Sequence, residues 1–580
     1  AYRNIAMLLN AKTIGRNITA NGIYGGVDKG ITDYVAAGLD KLVSLKTGVR
    51  TRTAPQWLEW ARGFKKGLKE GAEDVRLGIN TRKIGDKYDL QPGRTFDSKI
   101  GQSLEKALNY SLQVPDRAFY EATFQESLKN QMRASGKDKI TDEMIRIAEQ
   151  EARESVFQND GVLSKSILGL RRGLNWLGHL GREVKPGTLG LGDLLMPFAQ
   201  VPANLTQQAI NYSPLGLIKG GMSLSRGLQR QGTKDLARGI VGTGGMLGSA
   251  ALAKSGLITG DLNDEDLSTL QNMERRNNLA QLGKRPFQIN GMAYNMFSPL
   301  STVVAAGAKL GQGGSARQVG EAVLGSIIDM PFLSGINRAM SNYQRQGLGA
   351  AAAGMISDVP SQFVPTFANQ VADVIDPTAK ETYDPNIFKQ GINKAVNKIP
   401  GLRGILPDKA SVTGEKIRKY DNEGLGLLYN AMINPTFNNK QKSHPVIEEL
   451  ERLYQQSGQG NQYLPVVKRK ITYTDSQGNK IKRVLSTDEF NDYQKFVGQR
   501  NVFALDRLFQ DPGYWRLTPE EQVQEVTRLQ QKVDELTKAE LFGAAKSSKK
   551  NLLERKLNSL RGKQRKFRWG LMQNDLPKIN

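Results

Sequence analysis

Thr141-Asp-Glu-Met-Ile-Arg-Ile-Ala-Glu-Gln-Glu-Ala-Arg-Glu-Ser-Val-Phe-Gln158 decides the fold class of this chain. Met144, Ile145, Ala148, Ala152 and Val156 recur every three to four residues, the period of one face of an α-helix. Thr141 is placed to cap the first turn, and Asp142 and Glu143 suit its positive end. The opposite face is charged and is expected to be solvated.

The same period extends outward in both directions. Ile31 to Leu45 carries Val35, Leu39 and Leu42, and Gln56 to Leu68 is amphipathic with Lys65, Lys66 and Lys69 on its polar side. Towards the C-terminus, Ser486-Thr-Asp-Glu489 starts a helix, and Thr518-Pro-Glu-Glu521 is a capping box with proline at the first helical position, its helix running to about Ala544. Val526, Leu529, Val533 and Leu536 follow a 3-4-3 spacing, but two heptads favour packing within the chain over a coiled coil between subunits. Val466 to Leu485 alternates about Asp475-Ser-Gln-Gly-Asn479, as a β-hairpin with a glycine-containing turn does. The expected fold is therefore mainly α, an elongated multi-helix, multi-segment protein with one small β-hairpin near residues 466–485.

At 580 residues the chain exceeds what one hydrophobic core organises. Five segments are expected: a basic helical arm (1–115), an amphipathic helical region (116–185), a low-charge Gly/Ala-rich centre (186–375), a linker with the hairpin (376–485), and C-terminal helices with a basic tail (486–580). The centre carries 14 basic and 11 acidic residues, so nearly all of the net charge of +24 lies on the flanks. Such an excess favours polyanionic partners, nucleic acid or an anionic lipid surface. The absence of cysteine excludes disulfides, thiolate metal sites and cysteine nucleophiles. The N-terminal residues show no secretory signal. A start at Ala1 fits a processed end, a fragment, or loss of an initiator methionine equally well.

Two stretches stand out as candidate interaction sites. Gly239 to Gly260 has Lys254 as its one charge, and as a helix of ~33 Å it matches a bilayer core. Gly245, Ser249 and Ala253 lie four apart, with Gly244 and Gly248 alongside, a spacing for close helix approach in lipid. A buried helical hairpin and conditional membrane insertion both fit. The second stretch carries Lys546, Lys549, Lys550, Arg555, Lys556, Arg561, Lys563, Arg565, Lys566 and Arg568 against Glu554, with Trp569 following. It is read as a DNA or anionic-surface site, against the alternative of a solvated tail.

No metal or cofactor site and no catalytic residues are expected. His179 and His444 are far apart and outside any metal-binding spacing. Gly242 to Gly248 lacks the Lys-Ser/Thr of a phosphate loop, and the adjacent pairs Glu448/Glu449 and Glu520/Glu521 are not opposed carboxylates.

Met196-Pro-Phe-Ala-Gln-Val-Pro-Ala-Asn204, then Tyr212-Ser-Pro-Leu-Gly216, then the Gly/Ala-rich run from Gly239, resembles in order a signature of large polyvalent phage proteins. Phe363 to Gln370 with Ile375-Asp-Pro377, and Glu449 to Leu453 with Tyr514, resemble the later blocks of that family. The resemblance spans roughly 196–541 and is to the C-terminal region of such proteins, the internal DNA-ejection proteins of short-tailed bacteriophages. It implies a non-enzymatic, ring-forming homo-oligomer stored in the virion interior near the portal, beside other internal virion proteins. It also implies contact with double-stranded DNA and passage into the host periplasm and inner membrane to form a conduit for the genome. Lack of disulfides and abundant glycine suit a chain that must unfold to pass a narrow tail. From the residues themselves, Pro197 and Pro202 are expected to break or kink a helix and Asn204 to cap the next one; with Pro214 they mark an architectural corner. Two rival readings are a DNA-binding structural virion protein without a membrane step and a fragment of a giant virion enzyme.

Overall fold

The computed structural model describes residues 11–79, 99–158, 200–260, 262–285, 288–289, 292–293, 300–320, 357–434, 444–458 and 462–543, apart from single positions within these spans, with a few isolated residues besides. Among these the protein is mainly α, as the helical periodicity requires. The chain divides into two compact units, each assembled from separate stretches: residues 1–261, 286–371 and 424–438 form unit 1, and the remainder forms unit 2.

Unit 1 begins with α1 (Ala11–Val27), a single π-helical turn (Asp28–Thr32) and α2 (Asp33–Thr47). The amphipathic segment read from Gln56 becomes α3 (Trp57–Leu77), which packs along α4 (Lys99–Ser135). Gly63, Gly67 and Gly71 face α4; a Cβ on Gly67 would lie 2.5 Å from the Arg117 carbonyl oxygen, so only glycine admits this approach. The opening stretch forms α5 (Asp142–Ser155), with the Thr141 side chain accepting from the Met144 amide. Met144, Ala148, Ala152 and Val156 are buried beneath Phe119, Phe124 and Leu128 of α4, while Ile145 is exposed.

Next come α6 (Gln200–Asn211), α7 (Pro214–Ser225) and α8 (Gln229–Lys254). Pro202 does not break a helix: it is the third residue of α6, where no intrahelical partner for an amide is needed. Gly239 to Lys254 is likewise not a hairpin of its own but the second half of the single helix α8. Its antiparallel partner is α7, where Gly216 faces Gly239 so closely that a Cβ would lie 3.1 Å from the opposing Cα. The chain then forms β1 (Ile258–Thr259), visits unit 2 with α9 (Thr269–Gln281), and returns as β2 (Gln288–Ile289) and β3 (Met292–Ala293). These dipeptide strands make a small antiparallel sheet, with Ile258 opposite Ile289, that no alternation in the sequence announces. α10 (Leu300–Gly311) packs on the other side of α8, Gly307 against Met246 and Ser249. Val303, Ala305, Ala306 and Ala308 of α10 are buried there.

The chain continues through α11 (Thr366–Ile375) to α12 (Ile387–Val396) in unit 2, then α13 (Gly424–Met432) in unit 1. Unit 2 is completed by α14 (Pro445–Ser457), strands β4 (Lys470–Thr474) and β5 (Lys480–Val484), α15 (Thr487–Phe509) and α16 (Pro519–Phe542). The hairpin pairs Lys470 with Val484 and turns at Asp475 to Asn479, where Gly478 has φ +90°. Both capping boxes form: Ser486 with Glu489, and Thr518 with Glu521. Val526, Leu529 and Val533 are buried with Leu450, Leu453, Leu505 and Leu508, and Leu536 packs against them, so the 3-4-3 stripe is satisfied inside the subunit.

Candidate functional site

Arg230, Lys234 and Arg238 fall at four-residue spacing on one face of α8 and are turned inward. Lys234 bridges Asp28 at 2.8 Å and Asp33. Arg238 meets Asp28 at 3.3 Å and Glu154 at 3.1 Å; Arg230 meets Glu151 at 3.0 Å. From the other side Arg52 reaches Glu151 at 2.7 Å, and Lys29 sits 2.7 Å from both Asp33 and Glu126. Five cations and five carboxylates thus form one continuous, electrically neutral network in unit 1. Glu151 and Glu154 belong to the polar face of α5, which is not wholly solvated as expected but partly sealed against α8 and the π-helical turn.

Burial alone would raise the Asp28 carboxyl, but Lys234, Arg238 and Lys29 outweigh it and hold the group far below the usual carboxylate range. Glu151 is held down in the same way, burial being overcome by Arg230, Arg52 and Lys29. Burial would lower Lys29, yet Asp33 and Glu126 push its ammonium well above the ordinary value. Groups so displaced neither give nor take a proton near neutral pH, so the network supplies ion pairing rather than acid–base chemistry. It lines a cavity of about 710 Å³, to which the exposed Arg50, Lys137, Arg146 and Glu143 also contribute. Among the described residues no group of three or more metal-ligating side chains is arranged to hold an ion.

The residues of the 196–216 run close onto this network. The Tyr212 hydroxyl donates to Asp28 at 2.6 Å, and its ring packs against Tyr24. Ser213 caps α7, accepting from the Leu215 amide, with Pro214 at the first turn. Asn204 does not cap a helix: it lies inside α6, buried, and its Nδ2 donates 2.7 Å to the carbonyl of Phe157. Phe157 adopts φ +57°, a left-handed conformation costly for a bulky residue, with its ring buried against Tyr24. Removing the amide would leave that carbonyl buried and unpaired. Asn204→Ala is expected to lower stability by about 1–3 kcal/mol, read from the shift of the urea midpoint at constant slope. Pro197 lies outside the described residues.

The membrane-candidate glycines separate into two groups. Gly245 lies beside Val303 of α10 (3.4 Å from an added Cβ), and Ser249 is buried; Gly244 and Gly248 face open space, and Ala253 is half-buried. Lys546, Lys549, Lys550, Arg555, Lys556, Arg561, Lys563, Arg565, Lys566, Arg568 and Trp569 all lie outside the described residues, as does His179. His444 is at the N-terminus of α14, and Glu449 accepts from the Tyr514 hydroxyl at 2.8 Å.

In unit 2, Glu274 of α9 behaves oppositely to the network carboxylates. Burial raises it to about 7, with the Val466 amide and Lys468 only partly compensating. Its folded value exceeds its unfolded one, so the associated stability is complete below about pH 4.5 and is lost as pH rises towards 7. Glu274→Gln is expected to flatten this slope and stabilise unit 2 by about 2 kcal/mol at pH 8, measurable as denaturation midpoints across pH.

Fold and site define a mainly α protein whose first unit buries a neutral ionic network beside its hydrophobic clusters. No family model, curated protein or solved structure matches the chain.

Proposed function

We propose that this chain is an internal DNA-ejection protein of a short-tailed bacteriophage, a ring-forming, non-catalytic subunit that leaves the virion with the genome and helps build its path across the host envelope. The observation that carries the reading is the 196–216 run. The residues that bear the phage resemblance serve as joints: Asn204, Tyr212, Ser213, Pro214 and Gly216 close α6, α7 and α8 onto the ionic core. A core satisfied by ion pairs contributes little net stability but specifies one geometry, which suits a chain that must unfold, travel and refold. The outward face of α7 and α8 supports an envelope step. Leu215, Ile218 and Met222 on α7, and Ile240, Leu247 and Leu252 on α8, are exposed. Among the described residues no helix is long and apolar enough to cross a membrane, so in this conformation such a face meets lipid or a neighbouring subunit from the side.

The decisive experiment locates the labelled chain in the intact virion and again after genome release. Movement from the portal region to the host envelope is expected; retention in the emptied capsid sinks the reading. A DNA-binding structural role without a membrane step rests on the basic run from Lys546 to Arg568. DNA affinity that falls steeply with salt, with no association to anionic liposomes, selects it instead.

A further inference from the structure

We propose that the outer face of the β4–β5 hairpin in unit 2 is a docking surface for the major groove of duplex DNA. Residues paired across an antiparallel ribbon stand on the same face, so Lys470 with Val484, Thr472 with Lys482, and Thr474 with Lys480 form the rungs of one face. All of these side chains are exposed, and each rung carries one lysine, from β4 at the base and from β5 in the middle and at the turn. The opposite face is the one that packs: Ile471 is buried with Leu485, Tyr493 and Val497, and Tyr473 rests on Phe542. The ribbon is therefore held from beneath by α15 and α16 and offers its lysines to solvent.

Charge and shape select the occupant. Among the described residues Lys470, Lys480 and Lys482 form no ion pair, whereas Arg483, of opposite parity, pairs with Glu489. The one acid of the hairpin, Asp475, closes its turn by accepting from the amides of Gln477 and Asn479 at 2.9 and 2.8 Å. Uncompensated ammonium groups with threonine hydroxyls beside them suit phosphate oxygens. A two-stranded ribbon fits the major groove of B-DNA, about 12 Å wide, and not the deep, narrow one of duplex RNA. No aromatic ring stands on this face to stack on single-stranded bases, and Val484 is its one apolar side chain, too little to enter a bilayer. α16 ends beneath the ribbon at Phe542, four residues before Lys546 opens the basic run, so the chain itself brings further cations close by.

The inference deepens the DNA contact of the proposed function and rests on that reading for its setting. Retention of the chain in the emptied capsid would leave the hairpin surface standing, and failure of the surface would leave virion location untouched. The test is binding of the full chain to a short mixed-sequence duplex, by fluorescence anisotropy over a range of salt. Lys470→Gln with Lys480→Gln and Lys482→Gln is expected to weaken binding about tenfold or more and to reduce the salt slope by about 2–3, with circular dichroism unchanged. Lys41→Gln with Lys65→Gln and Lys69→Gln, at exposed positions of unit 1, removes the same charge and should leave the slope as it is. Because the chain lacks cysteine, Thr472→Cys carries a single benzophenone, expected to crosslink to the duplex. The same label at Glu520→Cys, ~33 Å away at the other end of α16, should not. Equal losses from the two triple variants reduce the effect to net charge and overturn the proposal, as does an unchanged slope in the hairpin triple. Absence of duplex binding by the full chain overturns it too. If phosphatidylglycerol vesicles bind the wild type and lose the hairpin triple while DNA keeps both, the surface belongs to lipid. A hairpin triple that self-associates and still binds DNA as before assigns the lysines to guarding the free edges of the ribbon.

Discussion

Lys234→Met is expected to destabilise unit 1 by about 3–5 kcal/mol. Asp28 and Asp33 share this ammonium inside unit 1, and a methionine of similar length leaves both carboxylates buried without it. Arg238 still reaches Asp28 and Lys29 still reaches Asp33, so part of the neutralisation survives. The effect should be local: hydrogen exchange at the amides of α8 speeds up, while α15 and α16 keep their protection. The pH response follows from the same groups. Asp28 and Glu151 have folded values below their unfolded ones, so their contribution is complete above about pH 4 and is lost as pH falls below it. In Lys234→Met the Asp28 carboxyl loses its largest opposing cation and the acid loss begins at higher pH. Adding Asp28→Asn and Asp33→Asn removes the stranded charges and should recover part of the stability. A loss under about 1 kcal/mol, with no change in acid sensitivity, contradicts the network as the organising element of unit 1.

Gly242→Ala is expected to cost about 3 kcal/mol, whereas Gly244→Ala and Gly248→Ala should be neutral or stabilise by about 0.5–1 kcal/mol. All three are small-residue positions of one helix and differ only in what stands opposite. A Cβ at Gly242 would lie 1.9 Å from the Tyr212 carbonyl oxygen and 2.3 Å from its carbon. Those are backbone atoms at the joint between α6 and α7, so relief requires moving a helix and disturbs the Tyr212 contact with Asp28. At Gly244 and Gly248 an added methyl meets nothing within 4 Å and gains the helix preference of alanine. Thermal melting of the three variants side by side is the measurement; equal destabilisation at all three refutes the assignment of α8's outer face as open.

The spacing rule that drew attention to Gly244, Gly245, Gly248, Ser249 and Ala253 identifies a helix able to approach others closely, and α8 does so on two sides. It does not say which small residues are used. The contacts fall on Gly232, Gly239 and Gly242 towards α6 and α7, and on Gly245, Ser249 and Ala250 towards α10. The low-charge run from Gly239 does not mark the helix start, because the helix begins ten residues earlier in the polar stretch Gln229 to Arg238. That polar half is where the site lies. The signal able to reveal it was present: three cations four apart, on one face, in a region where charge is scarce.

Helix class, the caps at Thr141, Ser486 and Thr518, and the 470–484 hairpin follow from interactions within four residues or across one turn. Composition and spacing in the chain are therefore enough to read them. The burial of a charged face obeys a different physics. Whether Lys234 lies in water or in a core depends on carboxylates at positions 28 and 33, some two hundred residues earlier. Solvation favours the outside for an isolated ammonium, and only an assembled set of opposite charges reverses that preference. Asn204 shows the same limit: its type suggests a cap, and the buried carbonyl of a left-handed Phe157 makes it a clamp. Local pattern made the protein helical; long-range charge pairing and backbone contact chose which faces it hides.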